Sequence, residues 1–224
     1  MDAEPSLDYS ALVETYNHTR SITSRLANEA VGFIEKGEML EAGKRLGLFF
    51  DGTLVFESEA EMATLVDFAI RHVYRDGKNA IQQFRRDSDR MLGPDELDLL
   101  QRIAASRYRI LDIDRIEHAV GMVVTDRLRR ESGFLVDRSF STTAQPGMTL
   151  AGHVVACEKF WMTTGATLPM SGRAWLHLER RIVKRFGKLG KTFCKLDPTQ
   201  EADLAAWCIR ACLEHGGATR IIHV

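Results

Sequence analysis

Three side chains with affinity for zinc lie on one face of the last predicted helix. Cys208, Cys212 and His215 follow one another at intervals of four and three residues, which places them on one side of an α-helix. Zn²⁺ binds thiolate sulfur and imidazole nitrogen well, and Cys194 is a candidate for the fourth position. The same positions complete the apolar stripe of that helix, where a free cysteine packs as a small hydrophobic residue. We therefore expect core packing, without metal or cofactor, and keep zinc binding as the open alternative.

A band of positive charge near the C-terminus is the second candidate. Residues 173–195 contain eight Lys and Arg against one Glu, whereas residues 1–70 contain thirteen Asp and Glu against five Lys and Arg. Such a split can steer an anionic partner to one face of a protein. The cations that we expect to contact nucleic acid or an acidic protein surface are Arg180, Arg181, Lys184, Arg185, Lys188 and Lys191.

Aromatic residues are interleaved with these cations. Phosphate contacts from Lys and Arg, combined with aromatic stacking, are how proteins hold single-stranded nucleic acids. Trp175, Phe186 and Phe193 would supply the stacking. The same three residues also match the apolar period of the segment, which favours the alternative of a solvated helix face with its aromatic side chains turned into the core.

A short acidic motif invites a comparison with phosphatases. The stretch Phe49-Phe50-Asp51-Gly52-Thr53 resembles the first motif of the haloacid dehalogenase superfamily, Asp-x-Asp-Gly-Thr after an apolar strand. The nucleophilic Asp would fall at Phe49, and phenylalanine cannot accept a phosphoryl group. Asp-Gly between two apolar runs is typical of a two-residue hairpin turn, because both central residues need a positive φ. We predict a β-hairpin near residues 46–57.

Apolar periodicity predicts the elements that would position these residues. Residues 1–106 form a helical region interrupted by the hairpin, and residues 171–224 form C-terminal helices. Between them, residues 107–170 contain five short runs rich in Val, Ile, Phe and Thr, separated by turn residues. Evenly spaced short strands of this kind predict a small antiparallel β-barrel. The expected fold class is α+β, with the C-terminal helices packed on the barrel.

The sequence contains no established catalytic motif, since HExxH, GxSxG, the P-loop and GxGxxG are all missing. We therefore expect a non-enzymatic binding or adaptor protein. The alternative is a hydrolase with a site assembled at the barrel rim from Asp126, Asp137, Ser139, Ser141 and His153. A deep pocket around groups with perturbed pKa values would favour the enzyme. A third hypothesis is an oligomer with Phe160, Trp161 and Met162 at a self-interface.

Composition is typical of a globular protein, with 45% hydrophobic and 27% charged residues. No run approaches the roughly 18 apolar residues of a membrane-spanning helix. The N-terminus is acidic, whereas a secretory signal is basic and then apolar. The four cysteines have no CxxC spacing and are too few for a disulfide scaffold. These features predict a cytoplasmic protein with reduced thiols and no membrane partner.

Four stretches together resemble a known protein family: SEAEMATLVDFAI (58–70), DGKNAI (76–81), FLVDRSFSTTAQPGMTLAGHVV (134–155) and FWMTTGATLP (160–169). The family consists of uncharacterised bacterial cytoplasmic proteins, some of them related to proteins with a SEC-C metal-binding tail. This chain has no Cys-rich CxCxSGxxxxxCC segment, so the zinc role of that tail does not transfer. The resemblance supports the expected architecture and implies no functional residue.

Overall fold

A computed structural model describes residues 8–88, 91–187 and 191–215, without the side chains of residues 191 and 192. The helices before the barrel are α1 (Tyr9–Val31), α2 (Lys36–Leu46), α3 (Glu59–His72), α4 (Ala80–Ser88) and α5 (Pro94–Ala104). The strands are β1 (Phe49–Phe50), β2 (Thr53–Leu54), β3 (Arg107–Glu117), β4 (Gly121–Asp126), β5 (Ser132–Val136), β6 (Thr149–Ala156), β7 (Trp161–Thr163) and β8 (Leu168–Pro169). The C-terminal helices are α6 (Gly172–Phe186) and α7 (Pro198–His215). This order confirms the α+β fold class.

Five strands close into the predicted barrel. Their order is β3-β4-β5-β7-β6, and β6 pairs again with β3. Neighbouring strands run antiparallel except β5 and β7, which pair in parallel at Leu135 and Trp161. The parallel pair differs from the sequence expectation, and it is a geometric necessity because an odd number of strands cannot alternate direction around a closed ring. The fifth predicted strand is also divided, since β8 pairs separately with the first half of β6.

The barrel has Greek-key connectivity. β6 returns to lie beside β3, so that the spatial order is β6-β3-β4-β5. This is the same class of architecture as the OB-fold, a five-stranded Greek-key barrel. The connection from β5 to β6 contains a 3₁₀ turn at Phe140–Thr142, and the buried Phe140 side chain packs into the barrel core.

Aliphatic side chains that alternate along the strands fill the barrel interior. They include Leu111, Ile113, Met122, Val124, Leu135, Leu150 and Val154. Glycine is required at position 133 of β5, because a Cβ atom there would lie 2.7 Å from the Trp161 ring. The Arg109 guanidinium lies 4.5 Å from the centroid of the same ring. A cation and an indole therefore meet at this part of the barrel wall.

The helices cover the outer face of β3 and β6. α7 packs on both strands, and one buried cluster contains Phe68 of α3, Tyr108 of β3 and Leu204 of α7. Side chains from all three predicted segments thus share a core. In the described part of the chain no helix is long and apolar enough to cross a membrane.

The predicted hairpin is formed by β1 and β2. Phe49 pairs with Leu54 and Phe50 with Thr53, which leaves Asp51 and Gly52 as the two turn residues. Their φ values are 45° and 82°, the left-handed region that a type I′ turn requires at both positions. The motif that resembles the phosphatase signature is therefore a structural turn.

Two of the three residues predicted at a self-interface are buried within the chain itself. Phe160 and Met162 are buried in the core formed with α1 and α5, and the Phe160 ring meets Tyr16 edge-on at 6.1 Å. Trp161 is partly covered by Arg109. Burial removes Phe160 and Met162 from a self-interface, because they pack against the helices of their own chain, while Trp161 stays partly exposed and a self-interface there remains a prediction.

Candidate functional site

Helix α6 carries most of the predicted basic residues. It begins at an N-cap, where the Ser171 Oγ accepts a hydrogen bond from the Ala174 amide at 3.0 Å. Ala174, Leu178 and Ile182 recur every four residues and bury one side of the helix. Gly187, at φ 78°, ends it in a conformation that favours glycine. This apolar stripe turns the remaining side of α6 toward solvent.

Five exposed cations project from α6: Arg173, Arg180, Arg181, Lys184 and Arg185. Among the residues that the structure describes, none of them forms an ion pair with a carboxylate, and Glu179 is the single acidic residue of the helix. Two further predicted contacts lie outside the description, since residue Lys188 and the side chain of Lys191 are not described. The described members of the predicted set therefore share one helix and one sign of charge.

The exposed side of α6 also carries apolar surface. Leu176 is 57% exposed and Val183 is 49% exposed, and their spacing of seven residues places them on one side of the helix. Arg173, Arg180 and Lys184 flank them. We call these five residues the α6 face. Arg181 and Arg185 lie at its border, where their guanidinium groups are 5.4 Å from the Trp207 ring and 5.6 Å from the Phe186 ring.

The aromatic residues between the cations point inward. Phe193 is fully buried, and Trp175 and Phe186 pack against the same core cluster. The Phe186 ring contacts those of Phe193 and Trp207. The inward orientation that the apolar period indicated is observed for these aromatic side chains, which fill space between α6, α7 and the barrel. Bases of a single strand would find no stacking platform at Phe193.

The candidate catalytic residues are not brought together. The Asp126 carboxylate accepts hydrogen bonds from Arg109 and Arg129, while Asp137 accepts one from the Phe140 amide. The Ser141 hydroxyl donates to the Arg138 carbonyl oxygen. Ser139 is exposed and His153 is buried beneath α3. Asp126, Asp137, Ser141 and His153 each bond to a different group, so the geometry forms no catalytic array from the five candidates.

His153 belongs to a buried chain of polar side chains that sequence analysis did not detect. Its Nδ1 lies 2.5 Å from the Asp67 Oδ2 of α3, and its Nε2 lies 2.7 Å from the Nε2 of His72. Arg71 Nη1 donates to the other carboxylate oxygen of Asp67 at 2.6 Å. The short Nδ1 contact indicates that His153 donates to Asp67 and accepts from the N–H of His72. We call Asp67, His153 and His72 the buried histidine chain.

Burial sets the ionisation of this chain. Burial lowers the pKa of His72 well below its usual value, and the neighbouring His153 and Arg71 lower it further. Burial likewise lowers the pKa of His153, against the attraction of Asp67. Burial alone would raise the pKa of the Asp67 carboxyl, but the Arg71 guanidinium and the hydrogen bond from His153 hold it well below its usual range. The stable state is therefore a carboxylate with two neutral imidazoles.

Two of the cavities in the described part of the chain differ greatly in size. The cavity lined by Arg71 and Thr164 has a volume of about 20 Å³, enough for roughly one water molecule. A surface groove of about 420 Å³ lies between α1, α5 and the turn at Cys157. Burial raises the pKa of the Cys157 thiol, which keeps it in the less nucleophilic protonated form.

The residues predicted as alternative zinc ligands have different surroundings in the structure. Cys208 and Cys212 are buried, and burial raises the pKa of the Cys208 thiol well above normal and that of Cys212 to about 12. The imidazole of His215 instead faces His177 of α6, with 5.0 Å between the ring centroids. The expectation of core packing is confirmed for both cysteines.

Comparison with known proteins places the chain in one family. The sequence model described as "Family of unknown function (DUF7986)" matches residues 10–192. No curated protein and no solved structure matches.

Proposed function

Since the chain belongs to this family of unknown function, we propose from the geometry that it is a non-enzymatic binding protein that recognises an acidic protein surface through the α6 face. The observation that carries the proposal is the set of α6 cations, which have no carboxylate partner among the described residues and lie beside two exposed aliphatic side chains. The sequence predicted an anionic partner, either nucleic acid or an acidic protein surface. Our proposal assigns the contact to one helix, α6, and names the acidic protein surface as the partner.

The charges and the apolar residues contribute in different ways. Each exposed ion pair formed with a partner is worth about 0.2–1 kcal/mol, and the combined field mainly accelerates association. Full burial of a Leu or Val side chain contributes about 1.5–3 kcal/mol. Leu176 and Val183 would therefore supply much of the affinity, while Arg173, Arg180 and Lys184 select a partner with acidic residues around an apolar patch.

Two features favour a protein partner over nucleic acid. The aromatic rings near α6 are occupied by core packing, whereas single-stranded nucleic acids are held by exposed rings. The second and third strands of Greek-key barrels such as the OB-fold bind oligonucleotides. Here the second and third strands carry Thr125 and Ser132, and side-chain hydrogen bonds of 2.7 and 2.9 Å join them to each other and to Asp114 of the first strand. These three side chains supply no positive charge for contacts with phosphates.

The experiment compares two ligands on the same protein. One ligand is a fluorescent helical peptide with Leu at positions i, i+4 and i+7 and with Glu on both sides of this apolar stripe. The other ligand is labelled single-stranded RNA. Anisotropy is measured at about 50 and about 200 mM salt, since charge-driven contacts weaken over that range. We expect salt-dependent binding of the peptide and weaker binding of the RNA.

A matched pair of variants locates the binding surface. Arg180→Glu with Lys184→Glu reverses two charges of the α6 face, and Lys78→Glu with Arg85→Glu makes the same change in net charge at two exposed positions around α4. We expect the first variant to lose peptide binding at least tenfold and the second to keep it. Equal loss in both variants would contradict a role for the α6 face. Preferred binding of RNA would replace the acidic protein with nucleic acid.

The cellular setting is part of the same proposal. The resemblance to bacterial cytoplasmic proteins related to SEC-C proteins supports a cytoplasmic location, as do four cysteines that are unpaired in the structure. Cell fractionation with a tag-specific antibody tests it, and recovery with the membrane fraction would contradict it. The hydrolase alternative gains no support from the described residues, because its candidate side chains lie apart.

A further inference from the structure

We propose that His177, Glu214 and His215 form a binding site for a divalent transition metal, with Zn²⁺ as the best fit. Their ligand atoms all lie within 4.8 Å of one another. Nε2 of His215 lies 3.9 Å from Oε2 of Glu214, and the two imidazole centroids are 5.0 Å apart. The site joins the middle of α6 to the end of α7. It does not rest on the proposed function, since none of its ligands belongs to the α6 face.

The three donors match a known class of zinc ligands. Two imidazoles and one carboxylate leave one position of a tetrahedral ion for water or another group. Bond lengths of about 2.0–2.2 Å require ligand atoms about 3.4 Å apart. His177 and Glu214 are exposed and His215 is partly exposed, so small side-chain rotations can close the remaining distance. Imidazole and carboxylate together favour zinc or a neighbouring first-row ion over calcium and magnesium.

The backbone around the site is held in place before any metal binds. The Ser171 hydroxyl, which caps α6, donates to the carbonyl oxygen of His215 at 2.6 Å. This bond fixes the end of α7 relative to the start of α6. His215 is the last residue of α7, where the helix dipole places partial negative charge and so favours a cation.

Two competing features set the expected affinity. Arg210 Nη2 lies 3.5 Å from Glu214 Oε1 in an exposed ion pair. When a metal ion binds, the Glu214 carboxylate must leave Arg210 or contact both cations. Among the described residues, neither imidazole of the site donates its second ring nitrogen to a carboxylate or carbonyl, a contact that commonly strengthens metal binding ten- to a hundredfold. We expect a dissociation constant in the micromolar range.

The test uses the untagged protein and the metals themselves. Calorimetric titration with ZnCl₂ should give one site per chain. The Co²⁺ form should show visible absorption of a four-coordinate ion without a thiolate-to-metal charge-transfer band, which excludes the cysteines as ligands. His177→Ala and His215→Ala should each weaken Zn²⁺ binding at least tenfold, and Glu214→Gln should weaken it less. His118→Ala, which removes an exposed histidine of the β3–β4 turn, is the matched control.

The possible results separate clearly. Loss of binding in both histidine variants, with binding kept in the control, supports the site. Unchanged binding in either variant, a thiolate band in the Co²⁺ spectrum, or no heat of binding up to about millimolar Zn²⁺ overturns it. Circular dichroism of each variant distinguishes loss of the site from loss of the fold, and His177 is exposed enough for its replacement to leave the core unchanged.

Discussion

At the scale of single residues, the structure buries several ionisable side chains and gives each a specific partner. In the buried histidine chain, Asp67 keeps its charge because Arg71 and His153 donate to it. A second group is centred on Asp126, which is fully buried and bonded to Arg109 and Arg129. Such groups stabilise a fold when they are complete, but they are costly when one partner is removed. Both groups lie where helices meet the barrel, so their integrity affects the whole protein.

The buried histidines make stability dependent on pH. The folded pKa values of His72 and His153 are lowered mainly by burial, so below pH 6.5 the unfolded chain takes up protons that the folded chain does not. Stability is therefore complete above about pH 7 and falls as the solution is acidified. Between pH 7.5 and pH 5.5, His72 should account for about 1.4 kcal/mol of the decrease in the free energy of unfolding.

Urea unfolding at these two pH values measures the effect. His72→Gln removes one titrating group while its amide can still donate to His153, so we expect a smaller loss of stability on acidification. His118→Gln, at an exposed position, should retain the full loss. An unchanged pH profile in His72→Gln would show that folding leaves the pKa of this histidine near its value in the unfolded chain, which would contradict the prediction.

The Arg129 guanidinium has four partners in the described part of the chain. Its side chain is completely buried and donates to Asp126, to Glu201, and to the carbonyl oxygens of Tyr108 and Phe193. Arg129→Met would remove one of the positive charges beside the buried Asp126 carboxylate. We expect it to lower the free energy of unfolding by about 3–5 kcal/mol.

The neighbouring Arg130 provides the control for that prediction. It is exposed and forms no ion pair with the described residues, so Arg130→Met should change the free energy of unfolding by less than about 0.5 kcal/mol. Denaturant midpoints of the two variants give the comparison. Equal, small effects would mean that the Arg129 network contributes little.

At the scale of elements, backbone conformation decides whether replacing a glycine by alanine stabilises or destabilises the protein. Gly52 completes the turn between β1 and β2 at φ 82°. Gly37 lies inside α2, where a Cβ atom would have no neighbour within 4 Å. The two glycines therefore respond to the same substitution in opposite directions.

Replacement of each glycine by alanine tests this contrast. Gly52→Ala should destabilise the protein by about 1 kcal/mol, because a side chain disfavours the left-handed region. Gly37→Ala should stabilise it by roughly 0.5–1 kcal/mol, since alanine is the better helix former. Thermal unfolding of both variants provides the measurement. Destabilisation by Gly37→Ala would contradict the open surroundings of that position.

The elements were predictable from the sequence because their signals are local. The Asp51-Gly52 turn and the three- to four-residue periodicity of α6 required no knowledge of neighbouring elements. The parallel pairing of β5 with β7 and the separate strand β8 depend on barrel closure, which no local pattern encodes. The cations of α6 were also predictable, because their number and spacing are local features of the sequence. The meeting of His177 with His215, and of His72 with His153, arises only when distant elements pack.

At the scale of the whole molecule, charge is distributed unevenly along the chain. The acidic first 70 residues and the basic α6 give the protein two regions of opposite sign. Exposed ion pairs between α6 and the acidic region would have neutralised both, yet the described residues contain none. We propose that the α6 face attracts an external acidic surface, since its cations have no carboxylate partner among the described residues, and this is the central claim for the function.

Site-specific photocrosslinking in cells that produce the protein tests this claim most directly. A photoreactive phenylalanine replaces Leu176 of the α6 face or, as the control, Val55 near the hairpin, two positions that are 57% and 47% exposed. We predict adducts from position 176 alone, attached to acidic segments of another protein and lost when Arg180→Glu and Lys184→Glu are added. Equal adducts from both positions, adducts that survive the charge reversal, or none at position 176 would contradict recognition through the α6 face.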